Sequence, residues 1–319
     1  MRKSLFFFLC LISMITLVAV GCSKPAADQG AEQTGKTRTI EHAMGKTEVP
    51  EHPKRVVILT NEGTEALLAL GVKPVGAVKS FTGNPWYKHL ENELQGVKVV
   101  GDEHQPNLET IASLNPDLII GNKMRQEKVY EQLSAIAPTV FAEELRGDWK
   151  VNFKLYAKAL NKEAEGQKVL AAYDQKVKQV KENAGDLLKQ KVSIVRFLAG
   201  KTRIYQLDSF SGTILKDIGF ARPELQNKNE FAIEVTKERI PDMDGDILFY
   251  FTYETGDNNG NKQEQEWTRD PLWKNLNAVK NNRAFKVDDV IWNTAGGVKA
   301  ANLMLDELND YINKFKQQS

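Results

Sequence analysis

Four histidines (His42, His52, His89 and His104) and two cysteines (Cys10 and Cys22) are the side chains in this 319-residue sequence best suited to hold a transition metal. The histidines are scattered and show none of the close ligand spacing that a zinc or manganese site requires, so no protein metal site is expected. Enzyme signatures are missing as well. There is no Gly-x-Ser-x-Gly elbow, no Walker A loop and no dinucleotide glycine fingerprint. Gly296 and Gly297 precede a helical stretch but lack the rest of such a motif. Neither an enzyme nor a bound cofactor is expected.

Cys22 has the clearest chemistry. Arg2 and Lys3 precede an apolar run over residues 5–20, which ends at Gly21 and Cys22 before the chain turns polar. This is the pattern of a secretory signal, and its length falls short of the roughly 20 residues a membrane span needs. The residues Ala19, Val20, Gly21 and Cys22 resemble a bacterial lipobox, with Ala19 where that pattern prefers Leu. That resemblance implies a diacylglycerol on the Cys22 thiol and a chain held at the outer face of a Gram-positive cell membrane.

Removing residues 1–21 from 319 leaves 298, enough for two domains. Cys10 leaves with the signal, so no internal disulfide is expected. The 43 basic residues less Arg2 and Lys3 leave 41 against 42 acidic ones, a balance that argues against nucleic acid as a partner.

The elements that follow are those of an α/β protein. Residues 22–37 are small and polar and read as a lipidated flexible tether. A strand pair is expected at 39–43 and 46–49. Strands at 55–59, 74–78, 98–100 and 117–120 then alternate with helices at 62–70, 108–114 and 125–136, which implies a parallel sheet with helices on both faces. Residues 149–188 read as helical with a break near Asn161. Val169, Tyr173, Val177 and Val180 share one face, and about 24 helical residues would reach roughly 36 Å. Strands resume at 192–198, 203–206, 246–251 and 284–287, and an amphipathic helix over 298–315 closes the chain. Residues 257–266 read as a mobile loop.

The halves also repeat one another. Glu109, Ile111, Leu114 and Asp117 recur as Glu238, Ile240, Met243 and Asp246 with the same spacing, each set followed by an apolar strand. The expected fold is therefore two Rossmann-like lobes joined by a single long helix. The N-terminal lobe spans 38–148, the helical segment 149–190 and the C-terminal lobe 191–319.

Together these features resemble the ABC-transporter binding proteins for iron-siderophores and cobalamin. The resemblance is carried by residues 53–57 (PKRVV), 65–71 (EALLALG), 107–120 (NLETIASLNPDLII) and 235–238 (VTKE), in that order. Residues 196–205 with 209–213 (SFSGT) are similar to a narrower branch that takes hydroxamate siderophores with a citrate core and related citrate-type iron chelates. What the resemblance implies is a monomer with a ferric siderophore between its lobes, the iron being held by the siderophore. Its implied partners are an ABC permease dimer and, through it, a cytoplasmic ATPase. Ferric citrate, a catecholate, haem and cobalamin are alternative cargoes for the same fold. Glu109 and Glu238 match the two glutamates, one on top of each lobe, that pair with permease arginines. A carboxylate favoured at a helix start is the other reading of both.

Such a cargo presents anionic oxygens, which the planar fork of arginine grips bidentately. Ligands of open α/β sheets sit beyond the carboxyl ends of the strands. That rule singles out Arg125, Arg196 and Arg203 as charged contacts and Tyr205 as a hydroxyl donor. Trp86 and Trp292 are candidates to pack on the cargo's carbon arms, although a buried tryptophan is more often core. Lys79, Arg146 and His104 complete the candidate set.

Overall fold

The computed structural model describes residues 36–147 and 149–317. The expected signal, the lipobox with Ala19 and Cys22, and all of the expected tether except residues 36 and 37 lie outside the described residues. Strand β1 (Thr37–His42) pairs antiparallel with β2 (Gly45–Pro50), so the hairpin starts two residues before its expected position. His42 is part of the structure here. Its Nδ1 accepts the N–H of Phe141 at 3.2 Å, which ties the hairpin to the first sheet.

That sheet contains β3 (Val56–Ile58), β4 (Gly76–Ala77), β5 (Lys98–Val99), β6 (Leu118–Asn122) and β7 (Thr139–Ala142). It is parallel throughout, in the order β5-β4-β3-β6-β7. The second sheet contains β8 (Val192–Leu198), β9 (Lys201–Tyr205), β10 (Ala232–Glu234), β11 (Ile247–Thr252) and β12 (Ala284–Lys286), in the order β10-β9-β8-β11-β12. The two orders correspond position by position. One difference is that β9 runs antiparallel to β8, because only Ala199 and Gly200 separate them and a turn so short reverses the chain. Gly200 takes φ +69°, a conformation that costs glycine little.

Seven helices matter to the site: α1 (Asn61–Ala69), α2 (Leu108–Ser113), α3 (Trp149–Ala159), α4 (Glu163–Ala184), α5 (Phe210–Ile218), α6 (Asn259–Thr268) and α7 (Val298–Gln317). Helix α4 is the long element between the sheets. Its 22 residues reach about 33 Å, and Tyr173, Val177 and Val180 are buried on one face.

Local chemistry explains the repeat. Asp117 accepts the backbone N–H groups of Lys54 and Arg55 at 2.8 and 2.9 Å, and Asp246 accepts that of Lys191 at 2.7 Å. In each half this carboxylate pins the chain entering the central strand. Helices α1 and α5 are likewise equivalent. Thr60 caps one through Gly63 N–H at 3.0 Å, and Ser209 caps the other through Gly212 N–H at 3.1 Å. A Cβ on Gly212 would stand 1.9 Å from the Gln206 carbonyl oxygen, so the close approach requires glycine there.

Two expectations are corrected. The stretch read as a mobile loop at 257–266 is largely helix α6, which Trp267 anchors in the second lobe's core. Only Trp267 and Gly260 of that helix are buried, so it carries almost no apolar periodicity to read. The helix expected at 125–136 is broken into Lys123–Gln126, a 3-10 turn at Glu127–Val129 and Tyr130–Ser134.

Helix α7 joins the halves. The buried Glu65 of α1 accepts the N–H groups of Lys299 and Ala300, both at 2.9 Å, which supplies partners for a helix start that has none of its own. His89 Nε2 lies 2.6 Å from the other Glu65 oxygen. No described helix is long and apolar enough to cross a membrane.

Candidate functional site

A cavity of about 370 Å³ opens where the strand ends of the two halves face each other. Strand β3 leads into Asn61 and Glu62, β6 into Arg125, and β11 directly into Tyr253, so the carboxyl ends of parallel strands build much of its wall. Arg125 and Arg146 reach it from the first half, and Arg196 and Arg203 from the second.

The four guanidiniums are held differently. Arg196 is buried and forms a bidentate pair with Asp289 (Nε–Oδ1 2.6 Å, Nη2–Oδ2 3.0 Å). It also donates to Thr294 Oγ1 at 2.7 Å and Tyr205 Oη at 3.2 Å, and it lies 4.8 Å from the centre of the Tyr253 ring. Its fork therefore serves mainly to fix the π-helical turn Val290–Thr294, which brings Asn293 and Thr294 to the cavity.

Arg125 donates Nε to the buried Glu103 at 3.3 Å. Arg203 pairs with the exposed Glu234 at 2.7 and 3.1 Å. Arg146, at φ +88°, lies over Phe231 with its guanidinium carbon 5.3 Å from the ring centre. Among the described residues its side chain has no hydrogen bond or ion pair.

Other sequence candidates fall elsewhere. Tyr205 is buried beneath Arg196 and does not line the cavity. Trp292 is fully buried, its Nε1 donating to Glu307 at 2.6 Å and its ring 4.6 Å from that of Phe249. Trp86 belongs to the same apolar core, and Lys79 is exposed outside the cavity wall. His104 borders an adjoining cavity of about 520 Å³, which shares Met124 and Arg125 with the first.

Among the lining residues not named individually from the sequence are Glu62, Glu103, Phe81, Phe210, Phe231, Tyr253 and Thr294. Tyr253 follows the carboxyl end of β11 and was open to the same rule as the arginines, whereas Phe231 precedes β10, a strand with no fully buried residue. Glu62 also lies just past a strand end, that of β3, but its burial depends on tertiary packing. Burial pushes its carboxyl up to about 8, with Glu103 and Glu65 adding to the shift, while Asn152 and Tyr156 pull the other way. Burial also raises the Tyr253 hydroxyl, so it stays a hydrogen-bond donor at neutral pH.

Glu109 and Glu238 are both exposed, at the second residue of the helical turns that lead into β6 and β11. They hold equivalent places in the two halves.

Two linked α/β halves around an arginine-lined cavity define a solute-binding protein. The chain belongs to the periplasmic binding protein family, whose sequence profile matches residues 56–290. It is 53% identical over 98% of both chains to the probable siderophore-binding lipoprotein YfiY of Bacillus subtilis. It is 31% identical to the Fe(3+)-citrate-binding protein YfmC of the same organism, again over 98% of both chains. Among solved structures, Staphylococcus aureus SirA complexed with staphyloferrin B superposes with a TM-score of 0.82 at 42% identity, covering 87% of this chain and 99% of that one.

Proposed function

We propose that this protein is the solute-binding component of an ABC importer and takes up a ferric siderophore in the arginine-walled cavity. The observation that carries this reading is the convergence of Arg125, Arg146, Arg196 and Arg203 on one space. Guanidinium forks recognise carboxylate and hydroxamate oxygens through charge-assisted hydrogen bonds. Phe81, Phe210, Phe231 and Tyr253 add apolar surface for the carbon arms of an organic chelator. The protein's task is then to match the outside of a complex whose iron is held by the chelator. The first reading of the cargo is a citrate-core hydroxamate, whose carboxylate and hydroxamate oxygens suit the arginines and whose carbon arms suit the aromatic rings. Ferric citrate itself is the second reading, favoured by the same arginines and by the likeness to YfmC.

The relatives named above are binding proteins, and this chain is assigned capture and delivery rather than turnover. Delivery runs to a permease dimer and through it to an ATPase. The protein acts as a monomer of lobes 38–148 and 191–319 with the helical segment 149–190 between them. Cys22 carries the lipid at the outer membrane face, and residues 22–37 tether the body, which raises its effective concentration at the permease.

Tryptophan-fluorescence titration of the chain lacking residues 1–22 tests the cargo class. Ferric citrate, a citrate-hydroxamate, a linear trihydroxamate, a catecholate, haem and cobalamin form the panel. Saturable binding of the citrate-type chelates is expected, and saturation by haem or cobalamin alone would sink the proposal.

A further inference from the structure

Glu62 and Glu103 are the two acids in a wall that also carries four arginines, and Glu103 is paired with Arg125. Glu62 occupies the second position of α1, lines the cavity and is 7% exposed. Asn152 Nδ2 donates to its Oε2 at 3.0 Å, while Oε1 is buried without a hydrogen-bond partner among the described residues.

The groups around it give an ionised carboxylate little support. Helix α3 contributes the neutral Asn152 amide and Tyr156 hydroxyl. The chain after β5 contributes Glu103, and α1 itself contributes Glu65, which His89 and the start of α7 already engage. The same cavity is lined by Arg125 and Arg146 from the first half and Arg196 and Arg203 from the second, three of them paired with Glu103, Asp289 and Glu234.

We propose that Glu62 is a specificity-determining residue, held in the wall as a neutral acid so that an anionic chelate meets the arginines without an unpaired carboxylate opposing it. This rests on reading the cavity as the ferric-chelate site. Cargo binding and the Glu62 proton are then coupled. A bound anion favours the protonated acid, and ionising Glu62 disfavours the anion to the same extent. A ferric chelate without net charge, such as a trihydroxamate, has no such coupling. The site thereby separates cargoes by charge as well as by shape.

The upward shift of Glu62 to about 8 places the coupling just above neutrality. For one proton, affinity for an anionic chelate declines by at most about tenfold per pH unit above that point. The same shift acts on the empty protein. Its folded state holds a proton that the unfolded chain releases near 4.5, so this group's contribution to stability falls as pH rises from about 4.5 to 8.

Two measurements on the native chain and Glu62→Gln decide the matter. Urea unfolding of the empty proteins between pH 5 and 8 should show a decline in the native chain that the variant lacks. Parallel profiles would overturn the neutral acid whether or not any chelate binds. Calorimetric titration with an anionic ferric citrate-hydroxamate at pH 7 and pH 9 should give an affinity ratio of about ten for the native chain and near one for the variant. Both chains meet the same chelate, so its own titration cancels. Equal ratios, or loss of binding by a stably folded variant at pH 7, would overturn the coupling. Failure of the native chain to bind any ferric chelate would instead remove the cargo reading, leaving the unfolding profiles to decide the charge of Glu62.

Discussion

Replacing Arg196 by Met is expected to cost about 3–5 kcal/mol of folding stability and to weaken cargo binding as well. Asp289 and Arg196 are each 8% exposed, and their bidentate pair is the main compensation for taking both charges out of water. Without the guanidinium, Asp289 keeps only the Thr294 hydroxyl among its side-chain partners here. A buried charge with one neutral partner is strongly destabilising. The same change frees the turn that carries Asn293 and Thr294 to the cavity, which is why affinity falls too.

Two controls separate charge from packing. The double variant Arg196→Met, Asp289→Leu should recover most of the lost stability, since removing both charges also removes the stranded one. Arg203→Ala breaks a pair whose Glu234 side chain is 52% exposed, and it should change stability by no more than about 1 kcal/mol. Urea unfolding measures all three. A stable Arg196→Met protein would show that the pair does not support the fold.

Loss of Glu109 and Glu238 together is expected to lower cargo uptake by cells about a hundredfold or more while leaving affinity unchanged. Charge pairs desolvated at an interface commonly contribute a few kcal/mol each. Both residues are exposed and absent from the cavity wall, so neither has a route to the cargo. Their alternative role is local, as carboxylates in the first turn of a helix or 3-10 segment. Uptake of radioactive iron, alongside titration of the purified double variant, distinguishes the two. Normal uptake with reduced stability would make them structural, and reduced affinity would place them in the wrong part of the mechanism.

The sequence carried the fold where local and global signals agree. Strands such as β6, with five buried residues, and helix α4, with one apolar face, are readable because burial sets their composition. The repeat was readable because Asp117 and Asp246 do the same job in both halves. Strand β10 has no fully buried residue and was missed, since edge pairing leaves little pattern behind. Within the site, the strand-end rule reaches residues that follow β-strands, among them Arg125. It does not tell which face of the chain a side chain takes. Trp292 therefore read as a possible cargo contact although its ring lies in the core, and Tyr205 as a donor to cargo although it holds Arg196. Glu62 and Glu103 also lie past strand ends, but nothing local marks them as buried, since their burial comes from packing against distant parts of the chain.

Arginines from both halves are expected to grip one anionic chelate. Calorimetric titration of the soluble chain with a ferric citrate-hydroxamate at pH 7 tests this most directly, comparing the native protein with the double variant Arg146→Ala, Arg203→Ala. Neither arginine has a buried ionic partner among the described residues, so the fold should survive both changes. With each charged hydrogen bond contributing about 1.5–3 kcal/mol, saturable one-to-one binding should weaken by about a hundredfold or more in the double variant. Native binding that is absent, or an affinity that the double variant retains in full, would contradict the account.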